Sequence, residues 1–219
     1  METLAELSGL VGKQRVAWRY DPVLLTKDYT VQRHLETFGR MAKQLSPYIS
    51  RCIFNFAGLY AHGARYKKLE TNMPELIPMM VQDMDALAQG FGEIAGKNGI
   101  FLQTCGKNRE FAHYGIHPSG CMALGVLGEA NNTVFKNLKH KGPRKGCQCI
   151  ESRDIGAYGT CMNGCKYCYA NKNHQKAIEN YKCHDKGSPL LLGEVKPGDC
   201  VVQGVQKSFL APVGQGSGA

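Results

Sequence analysis

The chain has 219 residues, with 27 Lys+Arg against 18 Asp+Glu for a net charge of +9, and 43% of it is hydrophobic. That apolar content excludes disorder over most of the length and suits one domain of ordinary size or slightly more. The apolar runs fall far short of the roughly 20 residues of a membrane span. The start, Met1-Glu2-Thr3-Leu4, lacks the basic and apolar segments of a secretory signal, so the expected location is the cytoplasm.

Residues 3–11 read as a short helix. Arg15 to Tyr20 is β-branched and aromatic and reads as a strand that Asp21-Pro22 closes. Over 30–46, Val31, Leu35, Phe38, Met41, Ala42 and Leu45 fall on one helical stripe, which Pro47 ends. A second strand follows at 52–56, then a polar stretch at 58–72. A helix is expected over 75–96, and a third strand over 100–104. Strands alternating with helices imply a parallel sheet. The fold class is therefore α/β, a partial parallel β/α unit of the TIM-barrel kind with three strands over 1–105. A cysteine-rich, metal-stabilised region is expected over 106–210, with a short helical stretch near 122–139. Residues 211–219 are rich in Gly, Ser and Ala and read as a disordered tail.

Parallel sheets place their chemistry at the carboxyl ends of strands. Those ends carry Asp21, Asn55 and Cys105. Asp21 and Asn55 are the candidate catalytic residues on the substrate side of such a cleft, with turn-capping as the alternative for each.

The ten cysteines are the informative feature, and five of them lie between Cys147 and Cys168. Clustered cysteines in a chain without a secretory signal more often bind metal than form disulfides. Cys161, Cys165 and Cys168 are spaced C-x3-C-x2-C, with Gly164 permitting a tight turn. Three thiolates on one loop can hold three irons of a 4Fe–4S cluster and leave the fourth open. A zinc ion is the alternative and would draw a fourth ligand such as Cys183. Cys147 and Cys149 form a C-x-C pair that, with Cys105 and Cys121, makes a second set of four. This set suits a second metal centre, and spacing does not choose between iron–sulfur and zinc. Cys52 lies inside a strand and reads as a core residue, and Cys200, in an apolar C-terminal stretch, has no evident partner.

The C-x3-C-x2-C triplet, with Tyr167 just before its last cysteine, resembles the signature of radical S-adenosylmethionine enzymes. That resemblance implies S-adenosylmethionine on the open iron, its reductive cleavage to a 5′-deoxyadenosyl radical, and Tyr167 near the adenine. A wider resemblance rests on Trp18-Arg19-Tyr20-Asp21-Pro22, on Cys147-Gln148-Cys149 through Ser152-Arg153-Asp154-Ile155-Gly156-Ala157-Tyr158, and on Cys161 to Asn171. Together these look like a mainly bacterial family, domain of unknown function 1848, whose C-terminal cysteines have been likened to the radical S-adenosylmethionine cluster. The resemblance runs from about Arg15 to Leu210. Its members carry further strands before the Trp-Arg-Tyr-Asp-Pro segment, so this chain resembles the C-terminal part, and a separate chain could supply the missing strands.

The basic run Lys136, Lys139, His140, Lys141, Arg144 and Lys145 precedes Cys147. It offers a nucleic-acid contact, cations beside thiolates, or simply a solvated loop, and no RNA-binding motif accompanies it. The reading that follows is an iron–sulfur protein acting on a substrate the sequence does not name. The alternative is a non-catalytic, zinc-stabilised binding module whose basic loop contacts an acidic partner.

Overall fold

A computed structural model describes residues 1–57, 69–105, 111–136, 138–142, 147–152, 155–166, 168, 170–205 and 208–210, with Cys105 described by its backbone alone. The expected tail at 211–219 and most of the polar stretch at 58–72 lie outside these residues. The chain divides into two compact units. The first comprises 1–61, 75–152 and 209–219, and the second comprises 62–74 and 153–208.

The first unit is a mixed α/β structure. Helix α1 (Glu2–Val11) leads into β1 (Ala17–Val23), and β2 (Leu25–Thr26) follows. Then come α2 (Val31–Leu45), β3 (Arg51–Phe56), β4 (Leu76–Ile77), α3 (Val81–Lys97) and β5 (Phe101–Cys105). The unit continues through β6 (His117–Ser119) and α4 (Leu124–Asn131). Strands β1, β3, β5 and β6 lie side by side in that order, all parallel, while β2 and β4 form a small antiparallel pair.

The expected helices and strands form, with four differences. The helical stretch expected near 122–139 is confined to Leu124–Asn131, after which Asn132 turns left-handed at φ 47°. Strand β1 runs through Pro22 to Val23, because the ladder to β3 shifts between Tyr20 and Val23 and β1 is an edge strand, where a missing N–H is tolerated. Helix α3 starts at Val81 instead of near residue 75, since Leu76 and Ile77 pair with β2 and Pro78 cannot continue a helix backwards. Its first turn is closed by the Met80 N–H donating to the Asp83 carboxylate at 2.9 Å. A fourth parallel strand, β6, contains Pro118, which masks it in the sequence and which its edge position accommodates.

Helices α2 and α3 cover one face of the sheet. Trp18 from β1 stacks on Phe38 of α2 at 4.6 Å between centroids, and Phe38 stacks on Phe91 of α3 at 4.3 Å. Tyr20 and Phe54 close edge-on against Phe91. The sequence Gly90-Phe91-Gly92 serves this packing. A Cβ at Gly90 would stand 2.4 Å from Leu35 Cδ2, and one at Gly92 would stand 2.1 Å from the Tyr114 carbonyl oxygen. Gly92 faces backbone and needs glycine for this approach, while at Gly90 the Leu35 side chain would have to shift.

Alternation along the strands sends Arg51, Ile53, Asn55 and Gln103 to the other face. Three of these four are polar, yet Asn55 and Gln103 are buried. Gln103 Nε2 donates to the Gly120 carbonyl at 3.4 Å, which ties the segment around Gly120 to this face.

The second unit contains α5 (His174–Lys182), whose first turn is capped by the Asn173 side chain accepting from the Lys176 N–H at 3.0 Å. Its Ala177 is fully buried. Few apolar residues mark this helix in the sequence, and the capping asparagine is its clearest signal.

Candidate functional site

The cysteines fall into both units. Cys161, Cys165 and Cys168 belong to the second, on a loop that leads into α5. The Gly159 N–H donates to the Ala170 carbonyl at 3.0 Å, closing the loop at its base. Asn180 of α5 donates to the Gly159 carbonyl at 2.9 Å, and Thr160 Oγ1 donates to the Ala157 carbonyl at 2.8 Å. Gly164, between the first two cysteines, has φ +62°. That left-handed conformation suits glycine. Asn171 works from the far side. Its backbone N–H donates to Cys168 Sγ at 3.3 Å, and its side-chain amide donates to the Cys161 carbonyl. Its Oδ1 is buried without a hydrogen-bond partner.

Cys161 and Cys165 are exposed and Cys168 is half-buried. A cavity of about 340 Å³ opens on this loop, lined by Cys165, Lys166, Cys168, Asn171, Lys172 and His174 among others. Two lysines and a backbone-held thiol make it suited to an anionic ligand beside sulfur. Tyr167 lies outside the described residues.

Cys121, Cys147 and Cys149 belong to the first unit. Cys121 Sγ and Cys149 Sγ stand 3.5 Å apart, and the Met122 N–H donates to Cys149 Sγ at 3.4 Å. Cys149 is 5% exposed. Burial pushes its thiol up to about 11, the Met122 N–H pulls against that, and the neighbouring Cys121 and Cys147 thiols add to the rise. Cys105 ends β5 in register with Ser119, and its side chain lies outside the described residues. Among the described residues, no three His, Cys, Asp or Glu side chains already converge on one ion.

Asp21 forms an ion pair with Arg19 and lines a separate cavity of about 290 Å³ with Tyr20, His34 and Thr37. Asn55 stays in the ladder of β3 and is buried. Sequence reading missed His34, which lies on α2. Its Nε2 is 2.8 Å from the Leu24 carbonyl, an acceptor, so that nitrogen carries the proton and Nδ1 accepts from the Tyr20 hydroxyl at 2.7 Å. Burial lowers the His34 pKa below 6.5, and the bond to Leu24 partly offsets this. Burial raises the Tyr20 pKa. Nothing local in the sequence marks the pair, because its members are fourteen positions apart on different elements.

In the basic run, Lys141 pairs with Glu151 at 3.9 Å and His140 bridges to Ile150. Arg144 and Lys145 lie outside the described residues. Among the described residues no helix is long and apolar enough to cross a membrane.

No curated protein matches this chain, and no solved structure matches it. A family model does: the one described as "Domain of unknown function (DUF1848)" matches residues 1–170, from the start of the chain to two residues past Cys168. With most of its length matched, from the Trp-Arg-Tyr-Asp-Pro strand to the cysteine loop, the chain belongs to the DUF1848 family.

Proposed function

We propose that this protein carries an iron–sulfur cluster on Cys161, Cys165 and Cys168 and uses it in chemistry of the radical S-adenosylmethionine kind. The observation that carries the reading is the cavity on the cysteine loop, where Cys165 and Cys168 share a wall with Lys166, Lys172 and Asn171. The residues present suit the group. The backbone N–H of Asn171 already points at Cys168 Sγ, the kind of hydrogen bond that stabilises a cluster thiolate and tunes its potential. Three cysteines leave a 4Fe–4S cluster one iron without a protein ligand, open to a small molecule.

When bound, the cluster supplies an electron and S-adenosylmethionine supplies a cleavable sulfonium bond. The chain's own residues position and balance charge. Lys166 and Lys172 place positive charge on the cavity wall, where a carboxylate can be held. Gly164 supplies the left-handed turn between Cys161 and Cys165, and Asn171 ties Cys161 and Cys168 to one stretch of backbone. The substrate is not specified by these residues.

Anaerobic reconstitution with iron and sulfide tests the reading. The expected result is brown protein whose reduced paramagnetic signal changes on adding S-adenosylmethionine, and loss of that iron in Cys165→Ala. Colourless protein with stoichiometric zinc after iron-replete anaerobic expression overturns it and favours a zinc-stabilised binding module.

A further inference from the structure

We propose that Cys121, Cys147 and Cys149 hold a single soft divalent cation of the zinc class against the polar face of the sheet, with the guanidinium of Arg51 balancing its charge.

The separation of the thiols suits a shared single ion better than separate irons of a 4Fe–4S cluster. Zinc–sulfur bonds are about 2.3 Å, so two sulfurs on one tetrahedral ion stand about 3.8 Å apart. Cys121 Sγ and Cys149 Sγ are already 3.5 Å apart. Thiolates of a 4Fe–4S cluster each bind a different iron and sit further from one another. Cys147 is two residues before Cys149 and is the third thiol acting on it.

The backbone is built for this approach. A Cβ at Gly120 would stand 2.7 Å from Cys149 N and from Gln148 C, so only glycine lets the C-x-C segment lie against residue 120. A Cβ at Gly142 would stand 2.3 Å from Cys147 Sγ. Two glycines thus let the segment pack closely, one against Gln148 and Cys149 and one against Cys147.

Unpaired polar atoms nearby provide the independent observation. Arg51 Nε and Nη1 are buried with no hydrogen-bond partner, and Cys121 and Glu129 lie close enough to act on this guanidinium. Gln103 is fully buried. One end of its amide donates to Gly120, while Oε1 has no partner. Buried N–H donors without a protein partner call for an acceptor, such as a thiolate sulfur or an ordered water. Binding releases three thiol protons to solvent, and three thiolates on a divalent cation leave one net negative charge. Arg51 supplies the matching positive charge, and its free N–H groups can donate to thiolate sulfur.

The test uses the full chain with Cys161, Cys165 and Cys168 changed to serine, so that failure here is separate from failure of the cluster reading. Cobalt(II) should bind at one equivalent with strong thiolate charge-transfer absorption, and zinc should displace it. Arg51→Gln should weaken binding by about 10–100-fold, as loss of a supporting residue around a metal does. Should the serine variant not fold, the wild-type chain decides by alkylation followed by peptide mass spectrometry. Zinc should slow modification of Cys121 and Cys147 by at least about tenfold, in keeping with metal-held thiolates. Absence of the cobalt–thiolate band, or equal alkylation of Cys121 and Cys147 with and without zinc, overturns the proposal.

Discussion

Cys121 and Cys149 meet at 3.5 Å beneath a sheet, on backbone whose close packing two glycines allow. Cys161, Cys165 and Cys168 sit on a loop closed by hydrogen bonds, with two of the three thiols exposed. Converged thiols, of which Cys149 is buried, suit a single ion that ties segments together. Spread, accessible thiols suit a cluster that keeps one position open for a ligand. The contrast shows that cysteine spacing along the chain fixes which residues can share a metal, while burial and convergence fix what the metal can do.

Two glycine substitutions separate the groups most strongly. Gly120→Ala forces a Cβ to within 2.7 Å of backbone at Cys149 and Gln148. Backbone cannot swing aside as a side-chain tip can, so a loss of about 1–3 kcal/mol is expected, the usual cost of overpacking. Urea denaturation measures it. Iron bound at the Cys161 loop should be unchanged, and equal loss of both metals would show that the groups form one site. Gly164→Ala is the reciprocal case. Its φ of +62° costs an L-residue about 1–2 kcal/mol, and the new methyl meets the His174 ring at 3.3 Å. Iron loading should fall while zinc protection of Cys121 persists.

Much of this was legible in the sequence, unevenly. The stripe from Val31 to Leu45 predicts α2, and Phe38 on that stripe is a core residue. Helix periodicity is local, so it is readable one chain segment at a time. β6 was not legible, because three residues containing a proline carry no strand pattern, and only pairing with β5 defines them. The cysteine triplet was legible by spacing, as were Cys147 and Cys149. Arg51 and Gln103 were not. Each is an ordinary strand residue until tertiary packing buries it beside Gly120 and Cys121. His34 and Tyr20 escaped for the same reason.

A smaller perturbation reaches only the loop group. Asn173→Ala removes the cap that accepts the Lys176 N–H at 3.0 Å. Loss of such a cap costs about 1 kcal/mol. Amide exchange should quicken in the first turn of α5 and leave α2 and α3 unaffected. Exchange that quickens in all three helices would mean that the two units unfold together.

The smallest effect singles out the other unit through pH. His34 is held neutral in the fold, with a pKa below the ordinary 6.5. Below pH 6.5 the unfolded chain therefore binds a proton that the folded chain does not, and protonation favours unfolding. The stabilisation is fully present above that value and is lost as pH falls toward the lower folded value. Protonating Nδ1 would also replace its acceptor role toward the Tyr20 hydroxyl with a second donor. Stability of the sheet unit, followed by Trp18 fluorescence in urea, should decline on acidification below pH 6.5, and His34→Gln should flatten that decline. Trp18 is the single tryptophan and stacks on Phe38, four residues after His34 on the same helix, so the probe reports the unit that titrates. An equally steep acid loss in His34→Gln would place the titrating group elsewhere in the chain.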